Sequence, residues 1–553
     1  MDDGAFFQDP PRLTNTFDAD PVLRETLARL VPESRELQDA WRGLGAAAAG
    51  PLAALAREAE AHPPRHVPYD AWGRRVDAIE VSPAWTALQH EAARWGLAAA
   101  AYEPGLGPLA RVHHFALLHL FGPSSAIWTC YLAMTDGAAR TLIEHAPDLA
   151  RHAVPHLTSR DPATFWTSGQ WMTERGGGSD VARGTQTVAR HEGDAGWRLY
   201  GSKWFTSAIT SEMALTLAHT EGSPGLSLFY LEQRLPDGSR NGITIHRLKD
   251  KLGTRALPTA ELSLDGTWAM LVGERGRGVK SITPLLNVTR LHNAISACGT
   301  MARLLQLLRD YARRRVVFGA PLATAPLHRE TLAALQVEYE AALALTLDCA
   351  RLLGRREHGV ASDDERAALR LLTPLAKLLT AKQAVAVASE ALEGFGGAGY
   401  VEDTGLPVYL RDAQVLPIWE GTTNVLSLDV RRAVARDGVL EPWVASSRAR
   451  LEALAHGPLA RVAADALAQL GSIGPPPSDD PADEAGARRF AMRLAALGAA
   501  VPLCEQAAWS LEHGHGERSA LAAARWVRER IPAAGDASAE HLRESGVLSG
   551  LQA

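Results

Sequence analysis

The sequence predicts an α+β fold that is mainly α. It comprises a helical N-terminal domain, a central β-domain built as a small sheet or barrel, a helical bundle and an appended C-terminal helical domain. Three observations point there. Apolar residues recur at helical spacing on both sides of the middle. Between about Phe165 and Gly273 they shift to short alternating or β-branched runs separated by turns. The chain of 553 residues also exceeds what one hydrophobic core usually supports.

The elements follow in order. From about Pro21 to His156 the segments PVLRETLARLV and RVHHFALLHLF keep helical periodicity, punctuated by Pro and Gly, so residues 1–164 read as the helical N-terminal domain. Residues 165–275 carry TQTVAR, GWRLYGSKWFT, MALTLAHT, LSLFYLE, ITIHRL and AELSLDG at regular intervals, the pattern of a small antiparallel sheet or barrel. Long amphipathic helices return in 276–437, including MARLLQLLRDYARRRVVFG and PLAKLLTAKQAVAVASEALEGFGG. Residues 438–553 form an appended helical domain, interrupted at 471–486 by GSIGPPPSDDPADEAG, whose Pro, Ser and Asp content predicts a loop. No internal repeat is visible.

Composition excludes some classes. Hydrophobic residues at 46% and charged residues at 22% describe an ordinary globular protein. A net charge of -6 and a pI near 6.4 argue against a generally basic nucleic-acid binder. Cys130, Cys298, Cys349 and Cys504 lie too far apart for a zinc or redox motif, which suggests a reduced compartment. The acidic start MDDGAFFQDP lacks the basic and apolar regions of a targeting peptide. No uncharged apolar run reaches the roughly 18 residues of a membrane span. A cytoplasmic location and no membrane partner are the expectations.

The stretch WMTERGGGSD, residues 171–180, sets three consecutive glycines among a Thr, an acid, a base and a Ser. Glycines serve positions of positive φ or places of close approach to the backbone. Some 25 residues on, GSKWFTSA places aromatics and hydroxyls at the end of a β-run, a mixture that suits a large planar cofactor with a polar edge. GERGRGVKS, 273–281, lacks P-loop spacing and lies outside any βαβ context. The histidines of HGHGE, 513–517, read as loop residues, and His113 with His114 read as packing or surface residues, so no metal is expected.

WMTERGGGSD, GSKWFTS, RVVFG (315–319), EGFGGAGY (393–400) and LRDAQVLPIWEGTTNVLSLDV (410–430) together resemble the signatures of the acyl-CoA dehydrogenases, which are FAD enzymes. Within that family the QDPPRLTNTF opening, YDAWGRRVDAIEVSPAW and LPDGSRNGITIHRLKDKLGTR resemble the AidB-like branch. The resemblance covers nearly the whole chain in order. It implies an acyl-CoA dehydrogenase-like fold and a homotetramer with FAD at a subunit boundary.

It also implies site residues. Met172, Thr173, Gly178 and Ser179 would contact the isoalloxazine region, with Phe205 and Ser207 closing its other side. Arg315, with Phe318 beside it, would pair with the pyrophosphate of FAD held largely by a neighbouring subunit; a guanidinium offers phosphate a bidentate fork. Gly396 and Gly397 would admit the dinucleotide backbone, and Trp419, Thr422 and Asn424 would lie near the FAD. Glu420 would be the catalytic base, taking the α-proton of a thioester while the β-hydrogen leaves as hydride to flavin N5. That work needs a carboxylate in a water-poor pocket. One branch of the family draws its base from a helix matching LLNVTRLHNAISACG, where this sequence has Thr289.

Departures and alternatives complete the reading. Arg175 and Gly177 stand where many members have Pro and Ala, which weakens transfer of CoA-thioester specificity. Arg432 matches an AidB-like arginine and could address an anion or bond a helix end. An AidB-like role in alkylation-damage protection makes DNA a second partner, yet residues 436–553 hold 12 Arg, no Lys and 15 acidic residues, a net of 12 - 15 = -3, which disfavours it. A flavin oxidase or monooxygenase acting on a non-CoA small molecule is the third reading. The electron acceptor is expected to be a protein or oxygen.

Overall fold

Residues 8–193, 196–474, 478, 480–533 and 538–549 are described in the structure, a computed structural model. Two compact units emerge. A barrel unit gathers residues 50–104 and 121–292; a helical unit gathers the chain up to Ala49, Gly105–Leu120 and everything from Asn293 onward.

The barrel unit opens with an antiparallel hairpin, β1 (Arg65–Tyr69) and β2 (Arg75–Glu80). Helical periodicity had claimed this stretch. Each strand is too short to show alternation against its flanking helices, and the turn is set locally: Asp70 Oδ1 accepts from the backbone N–H of Trp72 and of Arg74, both at 2.9 Å. Asp77 fastens the hairpin to the barrel by accepting from the Ile245 N–H at 3.1 Å.

Seven further strands form the barrel: β3 (Ser168–Trp171), β4 (Val188–His191), β5 (Trp197–Ser207), β6 (Met213–Thr220), β7 (Leu226–Glu232), β8 (Ile243–Leu248) and β9 (Thr259–Val272). Pairings β6–β7, β7–β9, β9–β5, β5–β4 and β4–β6 close the ring, while β3 lines β6 and β8 lines β9. Inward side chains such as Leu199, Phe229, Leu231, Ile245 and Leu262 fill the interior. The expectation of an antiparallel sheet needs one correction: β3 and β4 both run parallel to β6. They share one of its edges in series. Ser168–Trp171 pairs with Met213–Thr216, and Val188–Ala189 pairs with His219–Thr220. Residues 172–187 therefore leave the barrel and return to the same edge a few residues further on.

In the helical unit, Thr283–Arg314 (from residue 293), Pro326–Glu357 and Asp363–Gly394 are 32-residue helices. Their starts follow sequence rules. Pro326 sits in a first turn, and Ser362 with Glu365 forms a capping box. Thr423–Asp437 is capped by Thr422 and stopped by Gly438 at φ 61°. The appended helices are Leu440–Glu452, Ala460–Gly471, Pro481–Glu512, Arg518–Glu529 and Ala539–Ser549. The loop predicted at 471–486 ends earlier, because Asp480 caps a helix beginning at Pro481; residues 475–477 and 479 of it lie outside the described residues. Two helices, Asp363–Gly394 and Pro481–Glu512, meet the length and hydropathy of a membrane span, although neither contains an uncharged apolar run of that length. Of each apolar window 83% is buried inside the protein, as in core helices.

Charged side chains fasten the appended helices to the bundle. Arg450 donates to the buried Asp348 at 3.0 Å and to both oxygens of Glu505 at 2.6 and 2.7 Å, and Arg351 shares Asp348 at 2.9 Å. Burial alone would raise the Asp348 carboxyl, but the two guanidiniums hold it down at about 2. Asp348→Asn is expected to cost about 3 kcal/mol near neutral pH, because Arg351 and Arg450 both lose the buried carboxylate they share. A depressed carboxyl stabilises the fold above its unfolded pKa, so urea melts should show the difference shrinking as pH falls from about 4 towards 2.

Candidate active site

In the barrel unit the glycine stretch forms the 172–187 excursion. None of Gly176, Gly177 and Gly178 lies at positive φ. Close approach accounts for two of them. A Cβ on Gly176 would sit 3.1 Å from the Gly184 carbonyl oxygen, and one on Gly178 would sit 3.1 Å from Thr173 Cγ2. The loop thus folds back against itself. Met172 is buried, Thr173 half-buried, and Gly178 with Ser179 is exposed.

A buried ion pair anchors this loop. Where β6 passes from β3 to β4, the Leu217 carbonyl lies in the gap, and Lys203 Nζ donates to it at 3.0 Å. The same ammonium donates to Glu174 Oε1 at 2.7 Å. Glu174 also accepts from the Gln186 N–H at 2.7 Å and from the Thr187 hydroxyl at 2.6 Å, which ties both ends of the excursion together. Burial pushes the Glu174 carboxyl up, but Lys203 together with the hydrogen bonds from Thr187 and Gln186 more than offsets it and holds it below the usual range. Burial draws the Lys203 ammonium down, opposed by Glu174.

β5 aims the aromatic residues. Its register against β9 shifts between Lys203 and Thr206, a bulge that keeps both of these side chains inward. Phe205 turns outward and is 53% exposed, with Lys249 Nζ 4.6 Å from its ring centroid. The Trp204 N–H donates to the Thr173 carbonyl at 2.9 Å, locking loop to strand. Ser207 Oγ lies 3.0 Å from Thr259 Oγ1. Met172, Thr173, Phe205 and Ser207 are therefore set by two linked segments, the end of β3 and the end of β5. In the same unit a cleft of about 590 Å³ is lined by Pro224, Leu226, Gly276, Arg277, Val279 and Lys280.

In the helical unit Glu420 lies two residues before the Thr422 cap and outside the helix. A cap-turn acid would have helical geometry; Glu420 has φ 56° and its neighbour Gly421 φ 101°. Left-handed backbone at a non-glycine residue costs about 1–2 kcal/mol and is concentrated at functional sites. The turn is held on both sides. Trp419 Nε1 donates to Asn293 Oδ1, and Lys377 Nζ donates to the Gly421 carbonyl at 2.6 Å. Glu420 and Trp419 are half-buried, while Thr422 and Asn424 are exposed.

The remaining expected residues sit on surface turns. Val316–Val317 and Ala320–Pro321 form a two-residue hairpin whose tip, Phe318 and Gly319, has φ 51° and 81°. Arg315 and Phe318 are exposed there. Gly396 and Gly397 open a short 3-10 turn with nothing within 4 Å of an added Cβ. Arg432 is exposed and Thr289 buried. His113 and His114 are both buried, and His513 and His515 stack on Trp509 at 4.3 and 5.1 Å. The basic run RWVRER is paired within the chain: Arg525 with Glu330 at 2.9 Å, Arg528 with Glu529 at 2.5 Å, and Arg530 with Glu338.

Sequence reasoning missed Lys203, Lys377, Asn293 and the work of Glu174. A lone lysine inside an apolar run, as in PLAKLL, was the available signal. Removing one member of the barrel pair leaves the other charge buried, so Glu174→Gln or Lys203→Met alone should cost about 3–5 kcal/mol by chemical denaturation.

Comparison with known proteins agrees with this layout. Residues 9–162 match the adaptive response protein AidB N-terminal domain, 169–267 the acyl-CoA dehydrogenase middle domain, and 276–435 the acyl-CoA dehydrogenase C-terminal domain. Acyl-CoA dehydrogenase family member 11 of Caenorhabditis elegans is 49% identical over 444 residues, 78% of this chain and 72% of that protein. The putative acyl-CoA dehydrogenase AidB of Escherichia coli K12 is 36% identical over 69% of this chain and 71% of its own length. The crystal structure of Caenorhabditis elegans ACDH-11 in complex with C11-CoA superposes with a TM-score of 0.94 at 39% identity, covering 100% of this chain and 98% of that one. This chain belongs to the acyl-CoA dehydrogenase family, with the AidB type of N-terminal domain.

Proposed function

We propose that the protein is an FAD-dependent dehydrogenase of acyl thioesters in which Glu420 removes the α-proton. The observation that carries this reading is the conformation of Glu420. A carboxylate in strained backbone, outside its helix and clamped on both flanks, is a group held for chemistry rather than for capping.

The residues present fit a bound FAD. Thr173 and Ser179 offer hydroxyls along the folded loop, and exposed Phe205 offers an aromatic surface. Gly396 and Gly397 leave open space for a close-lying backbone, and exposed Arg315 suits a pyrophosphate. The exposure of Arg315 and Phe318 on a protruding hairpin supports the expectation that they serve a second copy of the chain, as in a homotetramer. Bound FAD would supply the two-electron acceptor for the β-hydride. Everything else falls to the protein. Glu420 takes the α-proton, Trp419 shields the carboxylate from water on one side, and Asn293 keeps that indole in place. Arg277 and Lys280, lining the barrel-unit cleft, suit the phosphates of a CoA thioester, although Glu274 draws on Arg277 at 3.1 Å. The C11-CoA complex of the Caenorhabditis elegans relative supports an acyl-CoA of medium length. A protein acceptor or oxygen would reoxidise the enzyme. The internally paired arginines of RWVRER give the DNA reading no support.

Anaerobic stopped-flow with a panel of acyl-CoAs tests the assignment. Wild-type flavin should bleach with one acyl class, and Glu420→Gln should keep its yellow flavin while bleaching falls by about 10²–10⁴-fold. An unchanged rate in that variant would remove Glu420 as the base.

A further inference from the structure

The Glu420 turn raises the question of what keeps it in one conformation. Gly421, at φ 101°, precedes the Thr422 cap, so its carbonyl lies outside the helix that follows. A glycine peptide can reorient at little steric cost, and any such movement would carry the neighbouring Glu420 with it. Lys377 answers this. It lies 44 positions before Gly421, on the Asp363–Gly394 helix, among the buried residues Leu375, Ala376, Leu378 and Leu379, and is itself fully buried. Its Nζ donates to the Gly421 oxygen at 2.6 Å. A buried ammonium is costly even when hydrogen-bonded. An apolar side chain would pack the same helix face without that cost but would leave the Gly421 carbonyl without this donor. Trp419, on the other flank of Glu420, is held by Asn293, so the turn is fixed from both ends.

We infer that Lys377 is a positioning residue for the catalytic carboxylate: through the Gly421 carbonyl it fixes the backbone of Glu420 in the geometry for α-proton abstraction. This rests on Glu420 being the base. The ammonium acts on the turn and touches neither substrate nor cofactor in this account. Because Glu420 must meet one C–H bond in a defined direction, a displacement of about 1 Å is expected to lower the rate about 10²-fold.

The test uses full-length holoenzyme carrying Lys377→Met, which keeps much of the side-chain volume without a donor, and Lys377→Gln, which keeps an N–H donor without the charge. Two rates are read. One is anaerobic flavin bleaching by the best acyl-CoA. The other is deuterium uptake from D2O into acetyl-CoA, which has α-hydrogens but no β-carbon, so that α-proton removal is seen without hydride transfer. Lys377→Met should retain flavin and a KM within about threefold of wild type, while both rates fall about 10²-fold. Lys377→Gln should recover a large part of both. Wild-type rates in Lys377→Met would overturn the inference, as would a raised KM with unchanged kcat. Failure of both variants to fold or to hold flavin would make Lys377 a purely structural support and overturn it equally. If wild-type protein removes no α-proton from any thioester, the Glu420 reading fails first and takes this role with it.

Discussion

The Lys203 ammonium occupies a break in the barrel that the strand order itself creates. β6 loses its neighbour after Thr216 and regains one at His219, which leaves the Leu217 carbonyl without a strand partner on that edge. A buried carbonyl without a donor is costly, and Lys203 supplies the donor. The charge brought inside then needs a counter-charge, and Glu174 provides it from within the excursion that caused the break. One residue before Glu174 stands Thr173, bonded through its carbonyl to β5. The break, the ion pair and the presented hydroxyl are one construction. The pair and the Trp204–Thr173 hydrogen bond together fix where residues 173–179 leave the barrel.

The helical unit solves a similar problem in a similar way. There too a fully buried lysine donates to a backbone carbonyl, Lys377 to Gly421, beside the proposed base Glu420. The difference lies in what is fixed. In the barrel unit a long loop is gathered by many hydrogen bonds around one pair; in the helical unit two residues, Glu420 and Gly421, are held in left-handed or glycine-only backbone with a contact on either flank. Both arrangements hold the expected site residues on rigid elements, the condition for catalytic precision.

Much of this organisation was legible in the sequence. The order helical, β, helical, helical follows from apolar spacing, and six of the strand-like runs, from TQTVAR to AELSLDG, coincide at least in part with strands β4 to β9. The hairpin of β1 and β2 escaped notice because its strands are five and six residues long between helices. Parallel pairing of β3 and β4 with β6 escaped because pairing direction is a long-range property that alternation within a strand does not encode. None of the three glycines takes positive φ; Gly176 and Gly178 let the loop fold against Gly184 and Thr173. Glu420 was identifiable by resemblance alone, whereas its backbone conformation became visible only in three dimensions. Lys203 and Lys377 are separated from their partners by 29 and 44 residues, and a hydrogen bond at that distance along the chain leaves no local pattern.

The most direct measurement is the FAD dissociation constant of a Glu174→Leu, Lys203→Met double variant. Replacing both charges by apolar groups avoids the unpaired buried charge that either single variant leaves and costs only the donor to the Leu217 carbonyl, about 1–3 kcal/mol, so the fold should survive while the loop loses its fixed position. The double variant should fold and bind FAD about tenfold or more weakly, the equivalent of one well-placed hydrogen bond. A folded double variant that binds FAD as tightly as wild type would contradict it, and would reduce the buried pair to a repair of the barrel edge.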